Sequence, residues 1–215
     1  MKVVSIQVGL PRQIEWRGDT LRTSIFKEPV QGPVRVRKLN LDGDAQADLR
    51  VHGGAGKAVY AYPSEHYAYW RGELPGVELP WGAFGENLTT EGLLESTVSI
   101  GDRLSIGSAE FMVTQPRLPC FKLGIRLGRP DIVKRFQQSG RSGFYLAVIR
   151  EGTIAAGDPI EVLAPAEPGI PVADIARLYT ADAPDLDLLR RASQLDALPE
   201  GWREHFRDRL VESGS

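Results

Sequence analysis

Up to about residue 164, the apolar residues of this chain come in short runs, nearly all of them closed by glycine or proline. Glycine occurs 23 times and proline 15 times in 215 residues. Such punctuation interrupts helical periodicity and favours strands joined by tight turns. Residues 3–8 alternate apolar with polar, and so does Val34-Arg-Val-Arg-Lys-Leu-Asn-Leu41. Residues 98–107 read as two strands turning at Gly101-Asp102, and residues 111–114 lie in a further strand. Residues 144–149 and 160–163, separated by Gly152 and Gly157-Asp158, read as a final hairpin. Two segments break this rhythm. Ser64-Glu-His-Tyr-Ala-Tyr-Trp70 predicts a short helix capped by Ser64, and Pro130-Asp-Ile-Val-Lys-Arg-Phe136 predicts another with proline in its first turn.

The pattern changes after Ala164. Pro165-Ala-Glu-Pro-Gly-Ile-Pro171 is a proline-punctuated linker. Beyond it, Val172, Ile175, Ala176 and Tyr179 fall at helical spacing. Leu186, Leu189 and Leu195 belong to a second helical segment, and Trp202, Phe206 and Leu210 to a third. The expected organisation is therefore a strand-rich domain over 1–164, a linker over 165–171 and three helices over 172–215. So few helices bury little surface alone. They are expected to pack on the first domain or on a second subunit, the latter giving a homodimer.

Composition narrows the function classes. With 42% hydrophobic and 25% charged residues, the chain can build an ordinary core. No run approaches the roughly 20 apolar residues of a spanning helix, and the first residues lack the features of a secretion signal. A cytoplasmic protein without membrane attachment is expected. The formal charge of −2 gives no global attraction to nucleic acid, so an anion would be held by local Arg, Lys and backbone amides. The single cysteine, Cys120, excludes an internal disulfide, a cysteine-ligated iron–sulfur cluster within this chain and any multi-cysteine zinc site.

Four constellations could carry chemistry. In Gln115-Pro-Arg-Leu-Pro-Cys120-Phe-Lys122, two prolines stiffen the approach to the cysteine. Arg117 and Lys122 add the positive charge that favours a thiolate, the form that acts as nucleophile or metal ligand; a buried cysteine acting as a small hydrophobe is the bland alternative. In Val51-His-Gly-Gly-Ala-Gly-Lys57, the glycines let backbone amides approach an anion, while His52 and Lys57 add donors; a plain glycine turn is as acceptable. Gly82-Ala-Phe-Gly-Glu-Asn87 sets an acceptor beside an amide, suited to a heterocycle edge or to a self-satisfied turn. Gly140-Arg-Ser-Gly143 offers Arg141 as a phosphate fork or as a surface arginine.

Taken in order, His52-Gly-Gly, Lys57, Phe84-Gly-Glu-Asn87, Gly101-Asp102, Gln115-Pro-Arg-Leu-Pro-Cys120 and Gly140-Arg-Ser-Gly143 strongly resemble the MOSC family, named for molybdenum cofactor sulfurase C-terminal domains. The matching region runs from about residue 24 to residue 158, and the tail, with Val172-Ala-Asp-Ile-Ala176, resembles the three-helix appendage of the YiiM branch. The resemblance implies an α+β, predominantly β fold: an antiparallel β-barrel with short helices and a small C-terminal three-helix segment. It implies a molybdenum cofactor (molybdopterin) whose metal takes Cys120 as its protein sulfur ligand, the pterin dithiolene supplying two more sulfurs. His52, Gly53, Gly54, Lys57, Phe84, Gly85, Glu86, Asn87, Arg117, Arg141, Ser142 and Gly143 are the residues it places around that cofactor.

The implied activity is reduction of a small-molecule N-hydroxylated substrate such as 6-hydroxylaminopurine, breaking an N–O bond with loss of water. His52 is the first candidate proton donor because an unperturbed imidazole titrates near neutrality, with Asp48 and Ser24 behind it. Lacking further cysteines, the chain would draw electrons from a separate iron–sulfur or flavin protein. A non-catalytic cofactor carrier, a sulfur-transfer module bearing a persulfide on Cys120, and a purely structural barrel remain alternatives on the residues alone.

Overall fold

The computed structural model describes residues 1–47, 53–167 and 169–213. The strands are β1 (Lys2–Val8), β2 (Arg12–Trp16), β3 (Asp19–Thr23), β4 (Glu28–Pro29), β5 (Val34–Val36), β6 (Val59–Pro63), β7 (Leu88–Glu91), β8 (Arg103–Ile106), β9 (Ala109–Pro116), β10 (Phe144–Arg150), β11 (Gly152–Ile154) and β12 (Ile160–Ala164). The helices are α1 (Glu65–Glu73), α2 (Phe121–Leu127), α3 (Ile132–Ser139), α4 (Val172–Thr180), α5 (Leu186–Ser193) and α6 (Glu200–Ser213), with one 3-10 turn at Ala55–Lys57. No helix among the described residues is long and apolar enough to cross a membrane.

One eight-stranded sheet dominates, in the order β12-β8-β9-β10-β6-β7-β1-β4. Neighbours are antiparallel except β6 and β7, which run parallel because α1 and the following loop carry the chain back over the sheet. The sheet curls until its two sides meet: Ile160 N–H donates to the Met1 carbonyl (3.0 Å), Val3 N–H to Asp158 (3.0 Å) and Gly157 N–H to Val3 (2.8 Å). The fold is thus α+β and sheet-dominated, as expected, with one parallel pair in an otherwise antiparallel arrangement.

Several local expectations change. Residues 144–149 and 160–163 are not hairpin partners: β10 lies between β9 and β6, while β12 pairs with β8 at the other side of the run. Residues 98–107 form one strand, β8, because Gly101 adopts a φ of 95° and the preceding part contributes only the bridge Ser99 to Pro171. Residues 34–41 form β5 and then turn back, Val36 bridging to Leu41. Ser64 precedes α1 without capping it. Its own φ and ψ are helical, and its hydroxyl faces Glu65 instead of the helix amides.

The interior falls into two parts. Apolar side chains of the curled sheet, such as Val36, Val59, Leu104, Phe111 and Leu146, form the larger one. Val172, Ile175 and Leu178 of α4, Leu189 of α5 and Phe206 of α6 join that same core, so the tail helices bury their apolar face on the sheet of their own chain. Val172 N–H donates to the Val98 carbonyl (3.0 Å) and Trp202 Nε1 to Gln115 Oε1 (2.5 Å), fastening the tail at two points. The packing demand that pointed toward a second subunit is met internally. The smaller core lies under α1 and α3 and is aromatic: Tyr62, Tyr67, Trp70, Phe84 and Phe136, with Trp70 and Phe136 stacked at 5.6 Å.

A buried polar hub ties the strands that carry the candidate site. Asp44 Oδ1 accepts from Gly9 N–H (2.9 Å) just after β1, and its Oδ2 accepts from Asn87 Nδ2 (2.9 Å) just before β7. The Lys27 ammonium completes the hub as a buried ion pair with Asp44. Burial lowers the Lys27 pKa, opposed by the attraction of Asp44. Asn87 Oδ1 in turn accepts from Tyr60 N–H (3.1 Å) in β6.

Two stability outcomes follow. Asp44→Ala should destabilise the protein by about 3–5 kcal/mol because it strands a buried cation, and Lys27→Met added to it should recover part of the loss in urea titrations. Phe206→Ala should cost about 3–5 kcal/mol as a cavity in a shared core. It should leave a single unfolding transition; a separate early transition for the tail would contradict the shared core.

Candidate functional site

Cys120 is delivered by the strand that runs through the middle of the sheet. After β9 ends at Pro116, Arg117 N–H bonds the Gly143 carbonyl (3.2 Å), and Leu118-Pro119 leads to Cys120 in extended geometry at the N-cap of α2. The Cys120 carbonyl accepts from Leu123 N–H (2.9 Å), the first bond of that helix. The thiol is therefore held between a strand end and the positive end of a short helix, surroundings that favour an anionic sulfur.

Cys120 opens on a small cleft with a cavity volume of about 110 Å³. Its walls come from the loop after β3 (Ser24, Ile25, Lys27), the hub (Asp44, Asn87), the glycine segment (Lys57), Gly85, and the side chains of Tyr60, Arg117, Lys122 and Tyr145. Arg117 is 6% exposed, lies 4.9 Å from the Tyr60 ring centroid and 5.3 Å from that of Phe136, and its Nη1 has no hydrogen-bond partner among the described residues. Burial acts against its charge, yet facing Tyr60, Tyr145 and Cys120 hold it above the ordinary arginine range. The Ser24 hydroxyl is likewise buried without a partner among the described residues. Burial lowers the pKa of Lys57 and raises those of Tyr60 and Tyr145.

The structure gathers some of the candidate residues and places others elsewhere. Ser24, Lys57, Gly85, Asn87, Arg117 and Cys120 all line the cleft. Gly53 borders the adjoining pocket, and Gly54 N–H is held by Gln46 Oε1 (2.8 Å), which braces the glycine segment. His52 and Asp48 lie outside the described residues. The Phe84 side chain belongs to the aromatic core. Glu86 is fully buried and accepts from Gly82 N–H (2.8 Å), Phe84 N–H (3.1 Å), Thr89 Oγ1 (3.1 Å) and the Tyr67 hydroxyl. It shapes the turn that presents Gly85. Asn87 uses its amide within the hub, so both it and Glu86 are engaged inside the protein.

Arg141 stacks over the Tyr69 ring at 3.8 Å and borders a different surface pocket. The Ser142 carbonyl accepts the Tyr60 hydroxyl (2.8 Å), and Gly143, at φ 60°, donates to Glu95 (2.7 Å). A Cβ on Gly143 would sit 2.5 Å from the Ala61 carbonyl oxygen, so this glycine serves close strand packing. The cleft adds Lys27, Asp44, Tyr60 and Tyr145, which sequence reasoning did not single out. No local motif marks them; only their burial as polar groups does.

The donor set suits an anionic group with a sulfur-seeking metal. A thiol, the cations Arg117, Lys57 and Lys122 and the Ser24 hydroxyl line one volume, and Arg117 Nη1 and Ser24 Oγ have no partner among the described residues. Gly85, at φ 81°, lets backbone form part of the wall, where a Cβ would lie 2.9 Å from Ile25.

The comparisons agree with this architecture. The MOSC domain model matches residues 48–161, and the model of the YiiM-like, 3-alpha helix domain matches residues 170–211. YflK of Bacillus subtilis (strain 168) is 41% identical over 212 residues, covering 97% of this chain and 96% of that protein. The crystal structure of YiiM from Geobacillus stearothermophilus superposes with a TM-score of 0.81 at 35% identity, covering 97% of this chain and 98% of that one. A protein named "Reductase" from Gibberella moniliformis (strain M3125 / FGSC 7600) is 35% identical over 181 residues, 83% of this chain but 32% of its own length. The strand-end cysteine, the curled sheet and the three docked helices thus belong together: the chain is a member of the MOSC-domain family, of the YiiM type.

Proposed function

We propose that this protein is a molybdenum-cofactor-dependent reductase of N-hydroxylated compounds such as 6-hydroxylaminopurine, working in the cytoplasm with electrons from a separate iron–sulfur or flavin protein. The carrying observation is that the cleft Cys120 lines also holds buried donors without a partner among the described residues. A buried donor without a partner costs about 1–3 kcal/mol, and both Arg117 Nη1 and Ser24 Oγ are in that position beside the thiol. An anionic, oxygen-rich group bound there would satisfy both.

Cys120 would hold the metal, and Arg117, Lys57 and Lys122 would balance the negative charge of the pterin and its phosphate. When bound, the cofactor supplies two-electron chemistry that, with two protons, converts R–NHOH into R–NH₂ and water. The residues of the chain then bind, orient and donate protons. Burial weakens the hold of Lys57 on its proton, making it a readier acid than an exposed lysine. Ser24 can donate a hydrogen bond to an oxygen in the cleft, and His52 is retained as the first proton donor with Asp48 behind it. Tyr60 and Tyr145, held protonated by burial, can donate but carry no charge at neutral pH.

A persulfide carrier or cofactor carrier would use the same thiol. A persulfide alone leaves the Arg117 and Ser24 donors unexplained, whereas a carrier role differs from the reductase only in lacking turnover. The name of the Gibberella relative supports the redox reading.

Protein purified from a host that makes the cofactor, grown with molybdate, should contain near-stoichiometric molybdenum and pterin. Cys120→Ala should lose the metal yet keep its fold, since the change removes little volume; molybdenum retained in that variant would remove Cys120 as ligand. His52→Ala should keep the metal and lose on the order of a hundredfold or more in reductase rate, as expected for a general acid. Unchanged turnover with 6-hydroxylaminopurine would exclude it.

A further inference from the structure

Beside the Cys120 cleft lies a second pocket, whose tail-helix side the reductase reading leaves unused. Lys57 and Leu118 line both, so the two volumes share a wall. The far side of the second pocket is built by the tail helices: Tyr179 of α4, and Trp202 and His205 of α6. Their rings pack as a tilted aromatic cluster, Tyr179 to Trp202 at 4.8 Å between centroids with 53° between ring planes, and Tyr179 to His205 at 4.4 Å with 35°. The Nε2 of His205 is buried and has no hydrogen-bond partner among the described residues.

Two glycines sharpen the case. Gly201 sits in the first turn of α6, and glycine is a weaker helix former than alanine. Its φ is not positive, and a Cβ there would meet nothing within 4 Å. Gly56 is similar: a Cβ would make only an ordinary 3.7 Å contact with Pro199. Neither backbone geometry nor crowding requires glycine at these positions, yet both line this pocket. What the missing side chains leave is room beside an aromatic cluster.

We infer that this pocket binds the planar heteroaromatic part of the substrate, with the three-helix segment supplying the stacking surface and His205 Nε2 a hydrogen bond to the ring edge. The inference rests on the reductase reading for the identity of the substrate. A flat ring can stack on an exposed ring face of this cluster, and a hydrogen-bonding edge satisfies a nitrogen that has no partner among the described residues. The shared wall places an attached N–O group toward the Cys120 side. A phosphate would satisfy His205 but would gain nothing from Tyr179 and Trp202.

Adenine, the aromatic amine product of hydroxylaminopurine reduction, is the probe, and isothermal titration of the purified protein needs neither electrons nor turnover. The wild-type chain should bind it. His205→Phe, which keeps the ring but deletes the nitrogen, should weaken binding roughly tenfold, the equivalent of one hydrogen bond of about 1.4 kcal/mol. Gly201→Leu should fill the pocket and abolish binding while leaving thermal stability unchanged or raised. Gly72→Leu, at a helical glycine in α1 whose Cβ would also meet nothing within 4 Å, should leave adenine affinity unchanged.

No adenine binding by the wild-type chain, equal affinity in Gly201→Leu, or inorganic phosphate binding that His205→Phe abolishes while adenine does not bind, would each overturn the inference. The two readings fail separately. Adenine binding that depends on His205, in a protein that does not reduce 6-hydroxylaminopurine, removes only the reductase. An unaltered kcat/KM for that substrate in Gly201→Leu removes only the pocket.

Discussion

The site depends on one buried carboxylate. Asp44 sits where the ends of β1 and the entry to β7 converge, and it joins them through Gly9 and Asn87 while neutralising Lys27. A lysine so deeply buried is tolerated only with a partner. The pair therefore fixes the loop after β3, which carries Ser24 and Ile25, against the loop that carries Gly85 and Asn87. Through Asn87 the hub reaches the Tyr60 backbone, and the Tyr60 ring receives the Arg117 guanidinium. A single network thus sets three walls of the cleft. Its charges are spent internally, whereas Arg117 Nη1 and the Ser24 hydroxyl are buried in the cleft wall without a partner among the described residues.

The cysteine is placed by a different device. β9 is flanked by β8 and β10 and has little freedom, and two prolines carry that rigidity from its end to Cys120. The chain then enters α2, so the thiol stands at a strand–helix junction rather than on a mobile loop. Such placement suits a ligand whose position has to be held against exchange with solvent. Gly85 approaches the same volume with backbone, while the Gln46-braced glycine segment borders the adjoining pocket.

Much of this was legible in the sequence wherever apolar spacing reported burial. The alternation over 3–8 fell within β1, and the 3.6-residue spacing of Val172, Ile175 and Tyr179 became α4. The spacing failed where local pattern and tertiary environment diverge. Phe121-Lys-Leu-Gly-Ile-Arg-Leu127 alternates as a strand would, yet it is helical, with Leu123 and Leu127 buried one turn apart and Phe121 exposed. The β2–β3 hairpin gives almost no signal, because its residues are mostly polar and exposed; Arg17 and Gly18, both at positive φ, make its turn. The candidate site was legible at Cys120, Arg117 and Lys57, whose motifs are local. Lys27, Asp44 and Asn87 were beyond reach as a unit, since 17 and 43 residues separate Asp44 from its two side-chain partners. Glu86 shows the reverse error: a polar residue in a suggestive motif whose acceptors are consumed by its own turn.

The tail gives these separations a functional sense. Its helices close the core of the sheet through Leu189 and Phe206, which would suffice to explain their apolar face. That burial does not explain why Trp202 and Tyr179 also border a pocket continuous in its wall with the Cys120 cleft, or why α6 opens with a glycine that nothing in the packing demands. A segment selected only to cover the sheet would gain from alanine at Gly201 and from a partner for His205. The open space at Gly201 and the His205 nitrogen, without a partner among the described residues, make sense if a bound molecule completes them. On the reductase reading, the curled sheet holds the reactive thiol and the helices docked on its side select what reaches it.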